Sequence, residues 1–279
     1  MLILAATPIG NLSDASPRLV ENLQSAKFIA AEDTRSVLKL ANSLGIKLNA
    51  KIFSLHEHNE GDRLSQILDI AKDDDVLVVS DAGMPTVSDP GFLLVRAAVA
   101  AGIDVTVVPG PSAVLSALAV SGLPTDRFTF EGFLPRKQGE RRKMFQSLAR
   151  ETRTMVFFES PHRILESLQD AALELGADRQ ASVSRELTKK FEHSERATLG
   201  ELVQWAGSEP KGEMVLVVAG AQVAEAAVGD LVELALALIA EGASLKDAVA
   251  EIAGSNSASK RELYQLVLDA RKAGNQAIG

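Results

Sequence analysis

The stretch VLVVSDAGMPTVSDPGFLLVRAAVAAG, residues 76–102, carries the pattern that decides the fold. Its apolar residues at 76–79 predict a buried strand, and the run at 92–102 predicts a helix. Between them lies SDAGMPTVSDPG, which is rich in Gly, Pro, Ser, Thr and Asp. Because a strand-to-helix connection commonly needs only about two to six residues, the loop at 80–91 is a candidate ligand site.

The first 120 residues repeat this alternation of short apolar runs and helical patterns. Strands are predicted at 2–7, 27–33, 51–55, 76–80 and 105–109, with helical patterns at 18–25, 35–45, 63–69, 92–101 and 113–122. Alternation of this kind predicts a parallel sheet covered by helices. The runs VLVV and VTVV are apolar on both faces, which fits a sheet that is buried on both sides.

Two further parts follow the first domain. The second part opens with a segment rich in Pro, Gly and charge at 123–143. It repeats the alternation, with strands predicted at 128–133, 154–160, 181–187 and 213–220. From about Val228 the pattern is purely helical, and its last two helices have the spacing of a helix-turn-helix unit. The sequence therefore predicts an α/β domain at 1–120, a second α/β domain at 121–224 and a small all-helical module at 228–279.

Composition and charge limit the possible functions. The chain has no Cys, which excludes disulfides, thiolate metal sites and Cys nucleophiles and fits a cytoplasmic protein. It has no run of 18 apolar residues, so no membrane span is expected, and the start MLILAATPIG has the character of a strand, not of a signal peptide. The net charge of −8 opposes binding to nucleic acid. Any RNA contact must therefore come from a local basic patch.

One basic patch is visible in PRKQGERRK, residues 135–143. It sets five basic side chains against the single acid Glu140; they are Arg136, Lys137, Arg141, Arg142 and Lys143. Taken alone, such a run is more often a solvated loop that enters a helix. The helical module at 228–279 has five basic and seven acidic residues, so we do not expect it to read DNA. Packing and RNA contact both remain open for that module.

Three loops of the first domain share a composition suited to a ligand. They are TPIGN (7–11), the loop at 80–91 and PGPSAV (109–114), and each follows a predicted strand. In a parallel sheet such loops meet at the carboxyl edge, where ligands bind. Ser112 and Asp89 could instead be helix caps. Asp81 comes too early to cap the next helix, and its carboxylate could accept hydrogen bonds from an ammonium group or from ribose hydroxyls.

Several motifs around these loops carry a family resemblance. Besides SDAGMPTVSDPG and TPIGN they are AEDTR (31–35), HEHNE (56–60), VPGPSA (108–113), FFESPHR (157–163) and RELTKKFE (185–192). Over about residues 1–222 the chain resembles the ribosomal RNA small subunit methyltransferase I family of the tetrapyrrole-methylase superfamily. The resemblance implies a two-domain α/β fold with S-adenosylmethionine in the cleft between the domains, and a homodimer. It also implies methylation of a cytidine 2′-oxygen in the decoding region of 16S rRNA of the small ribosomal subunit.

The same resemblance implies roles for individual residues. Those expected at the cofactor are Ile9, Gly10, Asp81, Gly83, Met84, Ser112 and Ala113 in the first domain and Phe158, Leu187 and Glu213 in the second. Those expected at the RNA, besides the basic patch, are His56, His58, Arg185, Glu186 and Lys189. Asp33 or Glu32 beside Arg35 is the first candidate for activating the ribose hydroxyl. An ordinary strand-end ion pair is the alternative for these three.

The sequence also allows a metal site and two other classes of protein to be considered. The HxH pattern at 56–58 could ligate zinc, but no third ligand lies in register, so no metal is predicted. A methyltransferase of the same superfamily acting on a corrinoid or porphyrin would need neither the basic patch nor the helical module. A non-enzymatic RNA- or DNA-binding protein would not need the three loops. The rRNA methyltransferase accounts for all of these features.

Overall fold

The computed structural model describes residues 1–56, 59–208, 210–222, 228–255 and 259–276. These residues form two compact units, 1–220 and 221–279. The first unit contains two five-stranded sheets. The second is helical. The division of the first unit at residue 120 stays a sequence-based prediction.

The first sheet is parallel throughout, as the alternating pattern predicts. Its strands are β1 (Leu2–Ala5), β2 (Phe28–Ala31), β3 (Lys51–Ser54), β4 (Val76–Val79) and β5 (Val105–Val108), in the order β3-β2-β4-β1-β5. The connecting helices are α1 (Pro17–Ser25), α2 (Thr34–Ser43), α3 (Glu60–Asp73), α4 (Phe92–Ala100) and α5 (Ala113–Val120). Separate apolar cores lie against this sheet, one around Leu19, Leu23 and Ile29 and one around Leu2, Ile67 and Leu94.

The strand VTVV differs from the expectation of burial on both faces. It is β5, an edge strand of the sheet, and Thr106 and Val107 are exposed, Val107 by 45%. The strand VLVV lies inside the sheet as β4, and all four of its residues are buried. An apolar strand alone does not distinguish these two places, because position in the sheet depends on the whole topology.

The second sheet is mixed, not parallel like the first. Its strands are β6 (Phe128–Phe133), β7 (Thr154–Glu159), β8 (Gln180–Arg185), β9 (His193–Thr198) and β10 (Met214–Val218), in the order β6-β7-β10-β8-β9. The pair β6 and β7 is parallel, and the remaining pairs are antiparallel. Strand β9, HSERAT, was not predicted from the sequence, because this polar edge strand lacks an apolar run.

Helices cover the second sheet from both sides. On one face α6 (Gln138–Ser147), α7 (Ile164–Leu175) and α8 (Leu199–Ala206) enclose a core that includes Phe145 and Phe157. On the other face, α5 of the first sheet packs Val114 and Leu118 against Val156 and Val217. Helix α5 therefore joins the two sheets through a shared apolar core, which holds their edges in a defined arrangement.

The second unit consists of three helices, α9 (Val228–Ala240), α10 (Leu245–Ser255) and α11 (Lys260–Gln276). Its core contains Leu231 and Ala235, Val249 and Ala253, and Leu263 and Val267, a pair from each helix. The three helices expected from the sequence are therefore present. Across the described residues, no helix is both long and apolar enough to cross a membrane.

Candidate active site

The three candidate loops of the first sheet meet at its carboxyl edge, as expected. The backbones of Thr7 and Gly83 pair through two hydrogen bonds, 2.9 Å and 3.1 Å. Gly83 has a φ of +84°, a conformation that favours glycine. Gly110 lies so close to Ala6 that a Cβ on it would stand 2.9 Å from the Ala6 Cβ. The loops therefore form one packed surface.

A cavity of about 380 Å³ lies between this surface and the second sheet. On the second sheet its wall comes from the ends of β6, β7 and β8 and from the start of β10, which antiparallel pairing brings to the same edge. The lining residues are Ile9, Glu32, Asp81, Ala82, Asp89, Ala113, Phe133, Phe158, Glu159, Ser160, Pro161, Leu187, Glu213, Met214 and Val215. The wall combines apolar side chains with several carboxylates.

Most residues expected at the cofactor lie at this cavity. Ile9, Asp81, Ala113, Phe158, Leu187 and Glu213 line it. The other four shape the loops around it. Gly83 pairs with Thr7, Met84 accepts the backbone N–H of Val87 on its carbonyl, and Ser112 caps α5 by accepting the N–H of Leu115. Contact of these residues with a cofactor remains a prediction.

Gly10 marks a close approach between the two halves of the cavity. A Cβ at this position would lie 2.5 Å from Cγ of Lys189 and 3.0 Å from the backbone oxygen of Leu187. Lys189 in turn binds Glu186 and Glu213, with both distances 2.9 Å from its Nζ. Lys189 therefore lies in a network that holds the rim of the cavity, and its charge is already paired, which argues against the predicted contact with RNA.

Carboxylates cluster on the first-sheet wall. The backbone N–H of Asp81 donates to Oε2 of Glu32, and that of Asp33 donates to Oδ1 of Asp81, both at 3.2 Å. Burial raises the pKa of Glu32, and the charges of Asp81 and Asp33 raise it further. Burial also raises the pKa of Asp89 to about 6, with added repulsion from Glu32 and Asp81. The wall therefore carries concentrated negative charge.

Asp89 is not the helix cap that its position in the sequence suggests. The N-cap position of α4 is held by Gly91, whose φ is +118° and which has no side chain to cap the helix. Asp89 instead lines the cavity. Asp89 was not predicted at the cavity, because Asp followed by Pro before a helix is also the pattern of a cap.

Asp33 and Arg35 form the strand-end ion pair that was the alternative to catalysis. Asp33 is the N-cap of α2, accepting the N–H of Arg35 at 2.8 Å, and it also binds the Arg35 guanidinium at 2.6 Å. The hydrogen bonds from Arg35 hold the pKa of Asp33 below its usual range. A carboxylate in this state is a weak base. Glu32, in contrast, lines the cavity.

Arg141 does not belong to an RNA-binding surface, contrary to the prediction. Its side chain is only 1% exposed and binds the buried Asp170 through Nε and Nη2, both at 2.7 Å. The neighbouring Arg142 pairs with Glu174 at 2.6 Å. Helix α6 turns these two side chains towards α7, so one face of the basic run is structural.

The remaining basic residues of the patch face solvent. Arg136, Lys137 and Lys143 are exposed, and Lys137 also pairs with Glu140 at 3.2 Å. Arg136 follows Phe133 by three residues, and Phe133 lines the cavity. The exposed part of the patch therefore starts beside the cavity.

Three further residues expected at the RNA have different settings. His56 is exposed ahead of α3, and its backbone N–H donates to Oδ1 of Asn59 at 2.9 Å. Arg185 is half-buried at the end of β8. His58 lies outside the described residues.

The second-sheet wall contains residues that the sequence analysis did not assign. Phe133 is 61% exposed and packs edge-on against Phe158, with ring centroids 5.3 Å apart. Glu159 is buried and accepts hydrogen bonds from Ser167 Oγ at 2.6 Å and from the backbone N–H of Ser160 at 2.7 Å, and it pairs with Arg163. The motif FFESPHR contains Glu159, Ser160 and Arg163 but not Ser167, and the spacing of Glu159 and Arg163 across the end of a strand and the start of a helix is the signal that was available.

Comparison with known proteins identifies relatives of this chain. A family model described as "Tetrapyrrole (Corrin/Porphyrin) Methylases" matches residues 1–203. The chain is similar to "Ribosomal RNA small subunit methyltransferase I" of Mycobacterium tuberculosis (strain CDC 1551 / Oshkosh), at 47% identity over 97% of this chain and 95% of that protein. It is 42% identical to the protein of the same name from Escherichia coli O157:H7, over 96% of this chain and 94% of that one.

Solved structures share the fold at lower identity. The methyltransferase CobJ matches with a TM-score of 0.59 and 20% identity over 79% of this chain and 94% of that chain. A uroporphyrin-III C-methyl transferase from Thermus thermophilus, complexed with S-adenosyl homocysteine, matches with a TM-score of 0.52 and 20% identity over 78% of this chain and 96% of that chain. The α/β fold expected from the sequence is confirmed. The chain belongs to the ribosomal RNA small subunit methyltransferase I family, within the tetrapyrrole methylases.

Proposed function

We propose that this protein transfers a methyl group from S-adenosylmethionine to the 2′-oxygen of a cytidine ribose in the decoding region of 16S rRNA. The observation that carries the proposal is the cavity between the two sheets, where Glu32, Asp81 and Asp89 lie on one wall and Phe133 and Phe158 on the other. Family membership supports the same conclusion, because the relatives are named for small-subunit rRNA methylation.

The cavity suits S-adenosylmethionine in size and charge. Its volume of about 380 Å³ falls within the range of small-molecule sites. The cofactor is cationic at its sulfonium and ammonium groups, and it supplies an already activated methyl group. Glu32 and Asp81 form no salt bridge with any other described residue, so their charge is available to a cation. Ile9, Leu187 and the aromatic wall would enclose apolar parts of the ligand.

This chain would contribute mainly orientation and proton transfer. Methyl transfer is an in-line displacement, and holding the reacting atoms in line can supply on the order of 7–11 kcal/mol. A positioned base that removes the hydroxyl proton adds roughly 10²–10⁴-fold. The rigid loop pairing of Thr7 with Gly83 and the ion network of Lys189 would hold the two walls in the geometry that such positioning requires.

The RNA would enter from the side of the exposed basic patch. Arg136, Lys137 and Lys143 offer cations for phosphates. Phe133 presents an exposed ring at the cavity, and an unpaired base that has left its helix can stack on such a ring. A cytidine splayed out of folded rRNA would thus find both phosphate contacts and a stacking partner.

We further propose a homodimer that works in the cytoplasm, where ribosomal subunits are assembled. Phe92 and Val99 lie seven residues apart on α4, hence on one face, and are 60% and 65% exposed. Val107 on β5 and Leu115 on α5 are also exposed. A second copy that covers such residues would remove apolar surface from water. Sedimentation of the purified protein at micromolar concentration tests the dimer.

The function is tested by transfer of tritiated methyl from S-adenosylmethionine to purified 30S subunits and to naked 16S rRNA. Digestion to nucleosides then identifies the labelled product. We expect label on 2′-O-methylcytidine. Label on a base would contradict the proposed chemistry. If neither RNA substrate is labelled and a porphyrin or corrinoid is methylated, the protein is a small-molecule methyltransferase.

Replacement of both Arg136 and Lys143 by Ala is expected to weaken binding to the RNA substrate without changing cofactor affinity. Loss of phosphate contacts should also make the plot of the logarithm of the binding constant against the logarithm of salt concentration less steep, by about one to two in slope. Filter binding of labelled RNA from 50 to 200 mM salt (a range over which about six to ten phosphate contacts have a large effect) measures both quantities. Arg150→Ala, an exposed change beyond the end of α6, is the control. An unchanged slope in the double variant would exclude this patch.

A further inference from the structure

The loop after β4 turns in a way that sets Asp89 on the cavity wall. Two residues other than glycine, Thr86 and Ser88, have positive φ values of 75° and 61°. Such conformations cost on the order of 1–3 kcal/mol each and persist where the surroundings enforce them. The surroundings here include the second sheet, because a Cβ on Gly132 of β6 would lie 3.8 Å from Oγ of Ser88. The strained turn and β6 thus fix the segment that carries Asp89.

The charged groups around Asp89 leave its carboxylate without a cationic partner. Glu32 and Asp81 share its wall. On the opposite wall, Glu159 pairs with Arg163 and Glu213 pairs with Lys189, so those cations already have partners. In the described parts of the chain no Lys or Arg forms a salt bridge with Asp89. A half-buried carboxylate in such a setting keeps its basicity.

The other carboxylates at this edge already hold the structure together. Asp33 caps α2 and pairs with Arg35. Glu32 accepts the backbone N–H of Asp81, and Asp81 accepts that of Asp33. These bonds tie the acceptors to the loops. Asp89 takes no part in these backbone bonds; the Ser80 hydroxyl beside it lowers its pKa, but burial outweighs that effect, and Asp89 lines the same cavity.

We propose that Asp89 is the general base of the reaction and takes the proton of the acceptor hydroxyl during methyl transfer. The inference rests on the proposed function. In the step, the hydroxyl oxygen forms a bond to the methyl carbon while the bond from that carbon to sulfur breaks, and the sulfur leaves as a neutral thioether. The O–H electron pair stays on oxygen, the proton passes to the carboxylate of Asp89, and water later removes it.

The pH dependence follows from the charge state of Asp89. Burial and the neighbouring acids raise its pKa to about 6 in the free protein, so the basic form predominates above that pH and disappears below it. The ratio kcat/KM reports groups of the free enzyme. We therefore expect kcat/KM for the cofactor to fall about tenfold per pH unit below 6 and to level off above it. A bound cation lowers a nearby carboxyl pKa, so the corresponding limb in kcat should lie at lower pH.

Asp89→Asn tests the assignment, because the amide keeps the shape but cannot accept the proton. Calorimetry with S-adenosylmethionine and single-turnover transfer to 30S subunits at saturating cofactor separate binding from chemistry. We expect the transfer rate to fall by about 10²–10⁴-fold, cofactor affinity to change far less, and the acid limb of kcat/KM near pH 6, measured separately at low cofactor concentration, to vanish. The control is Asp104→Asn, an exposed change just before β5 at the opposite edge of the sheet, which should behave like the original protein.

Three results would overturn the proposal. A transfer rate and pH profile for Asp89→Asn equal to those of the original protein would exclude Asp89 as the base. A rate loss that higher cofactor concentration restores would make it a cofactor-binding residue instead. If the unaltered protein itself transfers no methyl to the RNA, the proposed function fails and the assignment of Asp89 fails with it. That outcome is distinct because the variant and the original protein then fail alike.

Discussion

Arg141→Ala is expected to lower the free energy of unfolding by about 3–5 kcal/mol, as removal of one partner from a buried ion pair does. Arg141 and Asp170 are 1% and 3% exposed at their side chains and lie 2.7 Å apart. Truncation of Arg141 leaves the Asp170 carboxylate buried, and among the described residues the amide of Gln138, at 3.2 Å, is the side-chain donor that remains. The cost therefore comes mostly from the uncompensated charge.

Urea denaturation followed by circular dichroism measures this effect. Lys143→Ala, two positions away on the same helix but exposed, serves as the control and should change stability very little. Arg141→Met combined with Asp170→Leu removes both charges and should recover much of the loss. If Arg141→Ala unfolds at the same urea concentration as the original protein, the ion pair contributes nothing and this account of α6 is wrong.

Gly10→Ala should weaken cofactor binding by separating the two walls of the cavity. The added Cβ would lie 2.5 Å from Cγ of Lys189 and 3.0 Å from the Leu187 oxygen, so one loop must move. Overpacking of this kind costs about 1–3 kcal/mol. If the strain is relieved by movement of the wall, affinity for S-adenosylmethionine should drop by about fivefold to a hundredfold.

Gly61→Ala provides a matched control for this change. Gly61 lies in the first turn of α3 with open space around its Cα, so the same added methyl group should leave cofactor binding unchanged and favour the helix slightly. Calorimetric titration of both variants with S-adenosylmethionine gives the comparison. Equal affinities for the two variants would show that the close approach at Gly10 does not shape the binding site.

Much of the fold could be predicted because parallel strands have a distinct pattern. The buried strand β4 and the helices around it follow from apolar runs and their spacing, and the carboxyl edge then follows from parallel pairing. Strand β9 could not be found this way, since an edge strand of polar residues resembles a loop. The antiparallel pairing of β10 was also hidden, because direction is a property of the sheet and not of one strand.

The site could be predicted in place but not in detail. The long loop at 80–91 indicated the edge of the sheet at which the cavity lies, and Asp81 lines that cavity. The interpretations of Arg141 as an RNA contact and of Asp89 as a helix cap were wrong for a common reason. Each has a local pattern with an ordinary interpretation, a basic surface for Arg141 and a helix cap for Asp89, and only the partners brought by the fold decide between interpretations. Those neighbours are distant in sequence: Arg141 binds Asp170 on α7, and Asp89 shares the cavity wall with Glu32, which follows β2.

The central claim is that the cavity between the two sheets binds S-adenosylmethionine, and calorimetry of Asp81→Asn tests it most directly. The amide can keep the bond from the Asp33 backbone N–H, so the loops should stay in place while one negative charge leaves the wall. Removal of a charged hydrogen-bond partner costs about 1.5–3 kcal/mol, so we predict that cofactor affinity falls by at least tenfold, with urea stability unchanged. Unchanged affinity in this variant would contradict the claim.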